Sequence, residues 1–147
     1  MTGWGWAALL AGGTFTSAVV YFAVVRVPRW RAMEIPVFLP DFARAINVAD
    51  KVQPALLAAT IASGALMLGA VEGTSALLTA IALGGFGLVL IGSFSFLVPL
   101  QRRMIRLGPD PAMRIDEMRA RWLKGHLGRA SLAVTSFAVL VLAVARV

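Results

Sequence analysis

The sequence predicts an all-α fold: a polytopic membrane four-helix bundle with both termini outside. Three observations predict it. First, Met1–Val25, Val52–Val71, Gly73–Gln101 and Ala130–Ala145 contain no charged side chain. A helix needs roughly 20 apolar residues to cross a bilayer core. The first three runs reach that length, and the fourth reaches it once Leu127–Arg129 are counted in the interface. Backbone polar groups in lipid must be satisfied within the segment, so such runs are read as helices. Second, 59% of the 147 residues are hydrophobic and 14% charged, whereas a soluble domain is about half apolar and about a quarter charged. Third, the basic residues are partitioned. Residues 26–51 hold five Lys/Arg and residues 102–129 hold eight, but the "VEGTS" link at 71–75 holds none. The positive-inside rule then places both basic connectors in the cytoplasm.

The single membrane domain, residues 1–147, divides as follows. Membrane helices are expected at about 4–26, 53–72, 75–101 and 127–146, with cytosolic connectors at 27–52 and 102–126. In the first helix, Trp4 and Trp6 are expected at the outer interface, where indole rings are favoured. Pro28 is expected to stop that helix. The prolines of "EIPVFLPDF" should keep the next stretch irregular, with "DFARAIN" a short interfacial helix. Pro54 suits the first turn of helix two. Glu72-Gly73 closes a tight hairpin, and the glycine-rich "GGFGLVLIG" permits close approach in helix three. "GPDP" breaks the chain. It then opens a cytosolic helical extension of the last helix, with Asp110 as N-cap and Pro111 at the first position.

Composition also excludes chemistry. The chain has no cysteine and one histidine, so it offers no disulfide, no thiolate nucleophile and no zinc ligand set; no metal is expected. The net charge of +7 flanks membrane spans, where anionic headgroups account for it; membrane lipid is the expected partner and nucleic acid is not. The first run lacks the basic n-region of a signal peptide. An integral protein of a bacterial plasma (inner) membrane is expected. Small-residue patches on helices two and three permit homo-oligomers without demanding them.

The candidate chemistry lies on the last helix. At 100° per residue, Ile115, Met118, Trp122, His126, Arg129, Ala133, Ser136 and Leu140 share one face. An ionisable group about one turn inside the membrane boundary turns toward the bundle or a wet cavity rather than toward lipid. If Arg129 turns inward, His126 and Trp122 go with it. Tyr21, Asn47, Gln53, Ser95 and Gln101 offer polar groups at matching depth on the other helices. Together they suggest a polar pocket with an apolar floor. The competing reading is plain: Arg129 snorkels to headgroups, Trp122 anchors at the interface, and the stripe only packs.

Four stretches carry a family resemblance: "LLAGGTFTSAVVYF", "FARAINVADKVQP", "SFLVPLQRRM" and "RWLKGHLGRASLAV". In that order the chain resembles the four-helix membrane family that includes the anthrone oxygenases. Gln101 stands where many members have asparagine. The resemblance implies a cofactor-independent oxygenase, or a related enzyme, acting on a hydrophobic aromatic or quinone-like small molecule. His126 would then be the base and Arg129 the stabiliser of anionic oxygen. Trp122 and Tyr21 would stack on substrate. Asn47, Gln53, Ser95 and Gln101 would supply polar contacts. The alternative is a non-catalytic membrane scaffold or hydrophobic-ligand and lipid binder.

Overall fold

The computed structural model describes residues 3–147. Among them every regular element is a helix, and four rods are long and apolar enough to cross a membrane: α1 Gly3–Ala32, α2 Ile35–Leu68, α3 Gly73–Leu107 and α4 Ala112–Val144. At 1.5 Å per residue each spans roughly 45–50 Å, well beyond a hydrocarbon core of about 30 Å. The rods alternate in direction. The 69–72 link, Gly3 and Val147 lie at one end of the bundle; the connectors at 33–34 and 108–111 lie at the other. Each helix packs on two neighbours, α1 on α2 and α4, α3 on α2 and α4.

The helices run further into the connectors than the sequence predicts. Pro28 does not stop α1, which continues to Ala32. The residues before it form a widened π turn, Phe22–Arg26, in which the Val27 amide donates to the Phe22 carbonyl. A proline ring collides with the carbonyl four residues back, and the extra residue in this turn relieves that collision. α3 repeats the device. Ser93–Leu97 is a π turn, the Val98 amide donates to the Ser93 carbonyl, and Pro99 follows. α2 begins at Ile35, not near Pro54, and absorbs both Pro40 and Pro54; "DFARAIN" is part of it, not a separate helix. α4 starts one residue later than expected. Pro111 is its N-cap, and no side chain, Asp110 included, caps it.

Inward positions follow heptad-like spacing, as in other bundles. On α3 they are Ser75, Thr79, Ala82, Phe86, Val89, Ser93, Leu97, Gln101 and Met104. Two cores result. One gathers alanines and aliphatic side chains around the edge-on pair Phe15–Phe86, among them Ala8, Val19, Leu57, Met67, Ala82, Ala133 and Ala143. The other, at the basic end, gathers Trp30, Phe38, Phe42, Leu97, Met104, Ile115 and Trp122. Polar ties lock the second. The Trp30 indole donates to Asp41 at 2.7 Å, and Arg26 pairs with the same carboxylate at 3.2 Å. Arg119 of α4 donates to the carbonyls of Trp30 and Met33 at 3.1 and 2.5 Å. It thereby satisfies acceptors that a helix end leaves without partners.

Candidate functional site

The two cores meet at the middle of α4, and the expected stripe sits there. Ile115, Met118, Trp122, His126, Ala133, Ser136 and Leu140 are all buried. His126 is fully enclosed. Its ring stacks on Trp122, one turn earlier, with centroids 5.1 Å apart and planes 11° apart. Phe22 closes another side at 5.9 Å. The His126 Nε2 atom lies 3.2 Å from the Val19 carbonyl oxygen. A carbonyl only accepts, so Nε2 carries the hydrogen. In the neutral ring the lone pair is then on Nδ1, which is buried and has no hydrogen-bond partner among the described residues. The Trp122 indole N–H is likewise buried without an acceptor.

Arg129, one turn further on, points into the bundle. One terminal nitrogen donates to Gln53 Oε1 at 2.7 Å, the other to Ser93 Oγ at 3.3 Å. The Ser93 hydroxyl spends its own hydrogen on the Val89 carbonyl, at 2.6 Å, and so presents lone pairs to the arginine. Both partners are neutral. The nearest carboxylate on the same cavity wall is Asp50, one turn before Gln53, and it accepts instead from Gln101 Nε2 at 2.8 Å. Arg129 forms no ion pair among the described residues. Its Nε is also buried and unpartnered. The site therefore holds a cation whose direct partners are neutral, on one cavity with Asp50, beside an imidazole with a free lone pair.

A cavity of about 20 Å³ joins these groups, lined by Phe22, Asp50, Gln53, Gln101, Trp122, His126 and Arg129 among others. It admits about one water-sized group, so a polycyclic molecule needs further space. Arg129 also borders two outer hollows, one between α2 and α3 and a larger one between α3 and α4.

Of the sequence-derived candidates, His126, Arg129, Trp122, Gln53 and Gln101 come together. Tyr21, Asn47 and Ser95 do not. Tyr21 is about half exposed and contacts the Phe22 ring from outside. Asn47 and Ser95 face outward. Depth alone placed them in the site. The face excludes them: the inward rows are Phe15, Val19 and Phe22 on α1; Phe42, Ile46, Ala49 and Gln53 on α2; and Val89, Ser93 and Leu97 on α3. Phe22, Ser93, Asp50 and the Val19 carbonyl take the places sequence reasoning missed. Heptad spacing through Val89 and Gln53 would have found Ser93 and pointed to Asp50 one turn away.

No match was found among curated proteins or among solved structures. The sequence profile described as anthrone oxygenase matches residues 42–139. That stretch is more than half of the chain and includes Gln53, Ser93, Gln101, Trp122, His126 and Arg129. The chain belongs to the anthrone oxygenase family.

Proposed function

We propose that this protein is a membrane-embedded, cofactor-independent oxygenase acting on a hydrophobic aromatic or quinone-like small molecule, with anthrone the reference substrate. The observation that carries this reading is the pairing of the free Nδ1 of His126 with the ion-pair-free guanidinium of Arg129 on one cavity.

Anthrone has a doubly benzylic CH₂ opposite its carbonyl. His126 Nδ1 takes one of these protons. The negative charge that develops on the carbonyl oxygen is held by Arg129 N–H groups. The carbanion passes one electron to O₂, and recombination of the resulting radical pair forms a C–O bond. His126 returns its proton to the distal peroxide oxygen. Loss of the second benzylic proton then expels hydroxide, which combines with that proton as water. The balance is anthrone plus O₂ giving anthraquinone plus water. Trp122 and Phe22 hold the imidazole in place and exclude bulk water from it.

The test is oxygen uptake and quinone absorbance with anthrone, using protein in lipid nanodiscs. Wild-type protein is expected to consume one O₂ per quinone formed. His126→Ala is expected to lose about 10²–10⁴-fold in rate, the usual worth of a general base. A His126→Ala variant with full turnover removes the base from this scheme. A second reading, a non-catalytic binder of hydrophobic ligands, is favoured by the small volume of the cavity. It predicts ligand binding with no oxygen uptake by wild-type protein.

A further inference from the structure

The chamber beside His126 has no room for a ring system, so the wider hollow next to it matters. Between α3 and α4 lies a groove of about 180 Å³. Gly92 on α3 and Gly125 and Gly128 on α4 form its walls, with Phe96 at its side. Gly125 is already in close contact with Phe96 and Leu97, at 2.9 and 3.0 Å from the position of a Cβ, whereas the other two glycines leave open space. A Cβ added at Gly92 or Gly128 would meet no atom within 4 Å. The mouth is flanked by Leu88 and Phe96, both about half exposed and uncharged, so it opens on a face suited to lipid. The inner end is Arg129 with Leu97, and both also line the His126 chamber. Ser93, which borders the groove as well, accepts from Arg129. The groove and the chamber are therefore divided by one buried leucine and joined by one cation.

We propose that this groove is the lateral port and docking slot of the site, in which a ring system is held beside Arg129 before it reaches the His126 chamber. A flat, apolar aromatic molecule enters it from within the bilayer and directs one carbonyl or phenolic oxygen toward Arg129. Three features select this occupant. A slot walled by glycine backbone accepts a flat face closely. Its uncharged rim is continuous with the membrane, where such molecules partition. Its inner end presents donors without a carboxylate partner, which favours an oxygen of negative character. The other hollow at Arg129, between α2 and α3, measures about 30 Å³ and does not admit a ring system. The slot depends on the oxygenase reading only for the identity of its ligand.

The test separates the two. Binding of radiolabelled 9,10-anthraquinone, which has no benzylic hydrogen to lose, is measured in nanodiscs with lipid-only discs subtracted. Gly128→Leu and Gly92→Leu fill the slot from opposite walls, and Gly128→Ala adds a single methyl. Gly84→Leu, at an exposed glycine of α3 with no atom within 4 Å of its Cβ, is the control. Both slot leucine variants are expected to bind at least about tenfold more weakly, a difference of about 1.4 kcal/mol. Gly128→Ala should fall between, and Gly84→Leu should match wild type. Monodispersity and melting temperature identify any variant that fails to fold; Gly92→Leu and Gly128→Ala then carry the test. Binding that is lost in the slot variants, in a wild type that never consumes oxygen, keeps the slot and removes the oxygenase. Normal turnover and binding in Gly128→Leu and Gly92→Leu overturn the slot and leave the oxygenase standing. Wild type without anthraquinone binding removes the slot. So does a dimer that the leucines dissociate without loss of binding, because the groove is then a contact between copies.

Discussion

Around Ala82, Ala133 and Ala143 the helices meet through small side chains, whereas around Trp30 they meet through edge-on rings. Trp30 contacts Phe22, Phe38, Phe42 and Trp122 with centroids 5.1–6.3 Å apart. In the first region the outward faces are uncharged and suited to lipid. Lipid tails are as apolar as the side chains, so burial there supplies little drive, and close packing must. Gly85 illustrates it: a Cβ at that position would overlap the Ser136 hydroxyl oxygen. In the second region the surface is basic, and burial of large rings away from water is a strong drive. Hydroxyls also differ in use. Thr60, Ser63, Thr79 and Ser136 bond to carbonyls of their own helix. Ser93, at the boundary, bonds its own helix and also receives Arg129. The candidate site lies where the two kinds of packing meet, and where polar groups on α2, α3 and α4 can be enclosed together.

The comparison predicts unequal costs. Trp30→Ala removes the centre of the ring cluster and the bond to Asp41, and should cost about 3–5 kcal/mol. Melting in nanodiscs measures it; a shift no larger than that of a surface substitution would break the claim that rings hold the basic half. Gly85→Val overpacks the lipid-facing half and should cost about 1–3 kcal/mol. The control Gly84→Val, with nothing within 4 Å of its Cβ, should cost much less. Equal melting temperatures for the two valine variants would mean that close approach does not hold that half. Gln101→Ala frees Asp50 to turn toward Arg129. Anthrone turnover should drop about tenfold, near 1.4 kcal/mol, with little change in melting. An unchanged rate would show that Asp50 does not reach the cation. Tyr21→Phe, Asn47→Ala and Ser95→Ala are expected within about ±0.5 kcal/mol of wild type in stability and unchanged in turnover. A strong loss in any of them would move the site outward.

How much of this was legible follows from what each signal encodes. Uncharged length encodes a span, so four helices were plain. The 3.6-residue period encodes a face, so the Trp122–His126–Arg129 stripe was found correctly. Depth alone does not encode a face, and Tyr21, Asn47 and Ser95 were misplaced for that reason. Helix ends depart from the sequence expectation because Pro28 does not stop α1 and Pro40 and Pro54 lie inside α2. In α1 and α3 a Val-Pro pair instead follows a π turn, Phe22–Arg26 and Ser93–Leu97. The two turns flank the site: Phe22 touches His126, and Ser93 touches Arg129. Such turns often occur at functional sites. The inward turn of Arg129 followed from the cost of an ionised group in hydrocarbon, but its partners, Gln53 and Ser93, required the packing of three helices.

The most direct measurement is the absorbance of anthrone bound to the protein without oxygen. Proton loss to His126, with the anion held by Arg129, should produce the red-shifted band of the enolate in wild-type nanodiscs. His126→Ala and Arg129→Met should bind anthrone in its neutral form. The same enolate band in all three proteins, or its absence from a wild type that binds anthrone and oxidises it, would contradict a base and a cation acting together in this chamber.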